Sequence, residues 1–166
     1  MAYLELFKQV KAFVFDVDGI FTNNEVIVTE EGTLLRKMHI RDGYAIKAAV
    51  RAGYPIAIIT GGKSEGVKKR FADLGVKDIY LGKTDKIDAF DEFVHLYDLD
   101  PNEILYMGDD LPDYPVMRRV GCPVCPADAA QELFPIAVYV SPYAGGHGCV
   151  RDVVQQVMAL QGKWAP

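Results

Sequence analysis

Cysteine is scarce, with three in 166 residues. That odd, small number excludes a disulfide-built secreted scaffold. Positive charge is in the minority: 18 Lys and Arg stand against 23 Asp and Glu, for a formal net charge of −5, and the two signs alternate along the chain. A groove that neutralises a nucleic-acid backbone needs clustered cations, so no nucleic-acid partner is expected. Long apolar runs are missing too. No uncharged apolar stretch nears the roughly 18 residues that a membrane span requires. The N-terminal MAYLELFKQVKAF carries an acid within its apolar part and has no small-residue cleavage site. The chain is therefore expected to work in the cytoplasm with no membrane partner.

Half of the residues are hydrophobic, enough for one core, and residues 1–166 are expected to form a single domain. AFVF, PIAIIT, DIYLG, EILYMG, CPVC and AVYV are short apolar runs. Between them lie segments of helical spacing: DGYAIKAAVRAG, SEGVKKRFADLG with Ser64 as N-cap, TDKIDAFDEFVHLYDL, LPDYPVMRRVG interrupted near Pro115, and VRDVVQQVMALQ. This alternation predicts the α/β class, with a doubly wound, mainly parallel sheet and helices on both faces. The stretch from about 20 to 40 breaks the rhythm. EVIVT and TLLRKMHI flank the polar EEGT, which predicts a β-hairpin inserted after the first strand. The region 141–149, with AGGHG inside it, reads as a loop of the kind that closes over ligands.

The polar residues gather where strands end. Asp16 and Asp18 follow the first strand; Thr60, Gly61, Gly62 and Lys63 follow the second. Lys86 opens the helix after the third, and Asp109, Asp110 and Asp113 follow the fourth. In an open α/β sheet these positions share one edge, where ligands bind. Clustered carboxylates repel, so they imply a bound cation, and hard oxygen donors suit Mg²⁺. Asp16, Asp18 and Asp109 are the expected metal ligands, Asp18 through its backbone carbonyl, with Asp110 and Asp113 behind them. Asp16 reads as a nucleophile toward phosphorus and Asp18 as the general acid and base. Thr60, the amides of Gly61 and Gly62, and Lys86 read as the phosphate cradle.

At these residues the chain resembles the haloacid dehalogenase superfamily of phosphotransferases. Asp16 and Asp18 stand in its first motif, Thr60 in its second, Lys86 in its third, and Asp109, Asp110 and Asp113 in its fourth. More narrowly, IRDGYAIKAAVRAG, IAIITG, LYMGDDLPDYPVM and AGGHGCVRD resemble the bacterial 3-deoxy-D-manno-octulosonate 8-phosphate phosphatases of lipopolysaccharide synthesis. The resemblance implies Mg²⁺-dependent hydrolysis through an aspartyl-phosphate. Two positions depart from it: many relatives carry arginine where this chain has Gly62 and His147. About 40 residues separate Asp18 from Thr60 and about 20 separate Lys86 from Asp109, too few for a cap domain. In the resembled family, hairpins such as this one assemble a homotetramer whose neighbouring subunits cover the site, so Val26, Ile27 and Val28 are expected at an interface.

His39, Arg41, Lys63, His147 and Arg151 would form a basic rim suited to a sugar phosphate that also bears a carboxylate. Three alternatives stay open: a nine-carbon sugar acid 9-phosphate as substrate, a catalytically idle oligomerisation module, and a receiver-type phosphoacceptor. The idle module should have lost catalytic carboxylates, and none is missing. Cys122 and Cys125 form a CxxC near His147 and Cys149, which leaves zinc or redox chemistry open. CPVCP nevertheless reads as a core strand with structural thiols.

Overall fold

The computed structural model describes residues 2–165. Its frame is a six-stranded sheet in which every neighbouring pair is parallel. The central strand β1 (Ala12–Phe15) lies between β4 (Ile56–Ile59) and β6 (Ile104–Met107). Beyond β4 is β5 (Asp78–Tyr80); beyond β6 come β7 (Cys122–Cys125) and β8 (Tyr139–Val140). All four side chains of β1 are buried, because both faces of the sheet are covered. Phe13 and Phe15 pack toward α1 (Ala2–Gln9), α2 (Ile40–Arg51), α3 (Glu65–Asp73) and α6 (Cys149–Leu160). Ala12 and Val14 face the opposite core, built on α4 (Ile87–Leu96) and α5 (Tyr114–Met117).

The chain runs outward from β1 through β4 to β5, then returns to β6 on the other side of β1. The carboxyl ends of β1 and β6 therefore meet where the winding reverses, which is where doubly wound sheets open a crevice. Local signals agree with this course. Ser64 caps α3 by accepting from the Val67 amide, and Gly75 leaves that helix at φ +96°. The helix read over LPDYPVMRRVG is broken into a 3₁₀ turn and the short α5, with Pro115 at the start of α5.

The hairpin is present, but its ladder is only β2 (Ile27–Val28) on β3 (Leu34–Leu35). An isolated ribbon has no surface on which to bury its apolar side chains, and Ile27 and Val28 stay 61% and 65% exposed. The CxxC lies in the buried core strand expected of CPVCP, with structural thiols. Cys122 lies in one core and Cys125 in the other, on opposite faces of β7. Burial pushes both thiols up to about 12, and Cys149 is a buried free thiol against the Ile20 carbonyl.

Candidate active site

β1 delivers Asp16 and β6 delivers Asp109 to the crevice, and the 3₁₀ turn Leu111–Asp113 brings back Asp113. One carboxylate oxygen from each of these three lies within 4.8 Å of the others. The glycines of the two motifs make the approach possible. Gly19 has φ +86°, and a Cβ there would stand 1.8 Å from Asp109 Oδ2; a Cβ on Gly108 would stand 2.4 Å from the Asp113 side chain.

Lys86, at the N-terminus of α4, reaches into this group. Its Nζ is 2.7 Å from Asp113 Oδ1 and 3.1 Å from Asp16 Oδ1, with 4% of the residue exposed. Asp113 also accepts from the Tyr106 hydroxyl and from the amides of Asp109 and Asp110. With Lys86, these donors occupy about four acceptor positions, all that a carboxylate offers. The geometry thus suits Asp113 to a place behind the metal ligands. Asp110 points elsewhere, capping the Leu111 amide from an exposed position.

Burial drives Asp16 well above the usual carboxylate range; Asp113 adds to the rise, Lys86 opposes it, and Asp109 adds further. Asp109 is pushed up to about 6, again by burial first, with an Asn24 hydrogen bond at 2.8 Å working the other way. Burial penalises the Lys86 charge, yet Asp16 and Asp113 raise its pKa above the ordinary value. Three buried carboxylates facing one ammonium are short of positive charge. Their all-oxygen donor set fits a hard divalent cation such as Mg²⁺.

Comparison with known proteins shows what the chain is similar to. The haloacid dehalogenase-like hydrolase family matches residues 77–151. The 3-deoxy-D-manno-octulosonate 8-phosphate phosphatase KdsC of Escherichia coli K12 is 38% identical over 156 residues, 94% of this chain and 83% of that protein. The chain belongs to this phosphatase family of haloacid dehalogenase-like hydrolases. The Yersinia pestis phosphatase superposes with a TM-score of 0.94 at 34% identity, covering 97% of this chain and 87% of that one. The Moraxella catarrhalis phosphatase, solved with magnesium, phosphate and KDO, superposes with a TM-score of 0.93 at 30% identity, covering 97% and 92%. The family is a Mg²⁺-using one, and Asp16, Asp109 and Asp113 are the group of carboxylates close enough together here that could hold such an ion.

In this family member Thr60, 3% exposed, follows β4. Its hydroxyl oxygen accepts from the Gly62 amide at 3.1 Å, which leaves its own proton free to donate outward. The Gly62 amide is thereby already engaged, while Gly61 leads the chain around the turn. Of the five basic residues expected in the rim, His39, Arg41, His147 and Arg151 line one cavity of about 370 Å³, together with Tyr143 and Gln155. Lys63 is not with them; its stem lies along Gly82. The glycine-rich loop is tied down: the Gly146 amide donates to the Ile20 carbonyl and the Gly145 amide to Asp128.

Three site residues escaped the sequence reading. Asn24 binds Asp109, Tyr106 binds Asp113, and Arg36 binds Asp18. Asp18 accordingly stands outside the carboxylate trio, its side chain turned to Arg36. Tyr106 had one available signal: it is a polar-tipped residue in an otherwise aliphatic buried strand.

Proposed function

We propose that the chain hydrolyses 3-deoxy-D-manno-octulosonate 8-phosphate to the free sugar acid and phosphate. The carrying observation is the buried Asp16–Asp109–Asp113 group joined by Lys86 at the carboxyl ends of β1 and β6. Asp16 attacks phosphorus as the bond from phosphorus to the sugar oxygen breaks, giving an aspartyl-phosphate. Asp18 donates its proton to the departing sugar oxygen. It then removes a proton from the water that attacks the aspartyl-phosphate, restoring Asp16 and releasing phosphate. Lys86 holds Asp16 in place and Thr60 donates to a phosphoryl oxygen. Asp16, Asp109 and the Asp18 carbonyl would hold Mg²⁺, with Asp113 behind them; when bound, it supplies positive charge for the phosphoryl group.

The basic cavity of His39, Arg41, His147 and Arg151 supports an acidic sugar as substrate, since carboxylate recognition needs such donors. The test is Mg²⁺-dependent phosphate release from the eight-carbon substrate and from nine-carbon sugar acid 9-phosphates. A higher kcat/KM for the eight-carbon substrate is expected, and the reverse order would overturn the substrate assignment.

We also propose a homotetramer in which hairpins cover neighbouring sites, and work in the cytoplasm as one domain, 1–166. Val26, Ile27, Val28, Leu34 and Leu35 are all exposed, an apolar group that favours burial against a second copy. Buried reduced thiols suit a reducing compartment. Among the described residues no helix is long and apolar enough to cross a membrane. Light scattering should give a tetramer, and Ile27→Asp should dissociate it; a fully active monomer would contradict the covering role.

A further inference from the structure

Arg36 leaves β3 and turns its guanidinium onto Asp18. Nε donates to Oδ1 at 2.7 Å and Nη2 to Oδ2 at 3.2 Å. The pair is asymmetric in burial: the Arg36 side chain is 8% exposed and that of Asp18 36%. A solvated surface ion pair does not bury its arginine this deeply. Nη2 also stands 3.2 Å from where a Cβ on Gly62 would sit. The guanidinium therefore occupies the space between Asp18 and the turn Thr60–Gly61–Gly62, and the glycine at 62 leaves that space open.

We propose that Arg36 is a positioning residue for phosphoryl transfer, holding the Asp18 carboxyl group in the orientation from which it protonates the departing oxygen. The inference rests on the reading of Asp18 as acid and base. A forked guanidinium fixes both the position and the plane of a carboxyl group, which a single ammonium does not. It uses one lone pair on each oxygen and leaves the other lone pairs on the open side for the proton in transit. Because Arg36 is carried by the hairpin, the acid is held by the same element whose apolar side chains remain exposed. Misplacing a catalytic group by about 1 Å costs on the order of 100-fold in rate, which sets the ceiling for the effect.

Phenyl phosphate and p-nitrophenyl phosphate distinguish this role from a structural one. They are nearly the same shape and carry no sugar carboxylate, but phenolate is much the poorer leaving group and depends on the acid. Arg36→Ala is expected to lower kcat/KM for phenyl phosphate by about 10-fold or more, and for p-nitrophenyl phosphate by less than about 3-fold. Arg36→Lys should show the same bias at smaller size, and it serves as the test if the alanine variant does not fold. Asp18→Asn, measured alongside, should show the bias most strongly. Equal losses on both esters in the Arg36 variants, with Asp18→Asn still biased, would overturn the positioning role alone. An unbiased Asp18→Asn would overturn the reading of Asp18 and this inference with it.

Discussion

Replacing Lys86 with Met removes the one ammonium that, among the described residues, touches the acidic group. Lys86 is 4% exposed and lies 2.7 Å from Asp113 and 3.1 Å from Asp16. Methionine fills a similar volume, so the main loss is electrostatic. Removing one partner of a buried ion pair costs about 3–5 kcal/mol, because the other charge is left uncompensated. Asp16 and Asp109 are already driven above the usual carboxylate range, by burial first. Proton uptake by these carboxyl groups should hold the cost near the lower end. Urea denaturation without divalent metal should show it directly. With a slope of about 2 kcal/mol per molar urea, a loss of about 3 kcal/mol lowers the midpoint by about 1.5 M. Added Mg²⁺ should recover part of that loss, since a cation among the carboxylates takes over some of the ammonium's work, and phosphatase activity should still fall by about 100-fold or more. A midpoint within about 0.3 M of the unmodified protein would refute the view that Lys86 neutralises a strained acidic group.

Asp42, fully buried, accepts from the Arg151 amide at 2.9 Å while its Oδ2 has no partner, and burial raises its pKa above the ordinary carboxylate value. A carboxyl group that holds its proton more tightly when folded favours the fold while protonated. That contribution is lost as pH rises from about 4 through the raised value. Asparagine there does not titrate, so the Tm of the unmodified protein relative to Asp42→Asn should decline between pH 4 and 7; a constant difference would contradict this. His147→Ala should raise KM for the sugar acid phosphate by about 10-fold, a typical loss for one charged hydrogen bond, and leave that for p-nitrophenyl phosphate nearly unchanged. Equal effects on the two would remove His147 from the recognition cavity.

What the sequence could disclose follows from distance along the chain. Ala12 to Phe15 read as a covered strand because consecutive apolar residues need two apolar faces, and that is how β1 sits. The residues just past each strand were legible for the same reason, since a parallel sheet sends its strand ends to one edge. Pairings across loops were not. Arg36 is 18 residues from Asp18, and Asn24 is 85 from Asp109; no periodicity links them, and both depend on how the hairpin folds back. The direction of the Asp18 side chain depends on the turn after β1, where Gly19 takes φ +86°. The basic rim was read from charge alone. That was enough to bring four residues to one cavity, but it could not see that Lys63 lies along Gly82 instead.

The most direct test of the account is to trap the enzyme during turnover. The protein would be mixed with Mg²⁺ and substrate, quenched in acid within the first turnover, and its peptides examined by mass spectrometry. The expected result is one phosphoryl group on Asp16, absent in Asp16→Asn, which should also lose phosphate release. A phosphoryl group on another residue, or undiminished phosphate release by Asp16→Asn, would contradict the central claim.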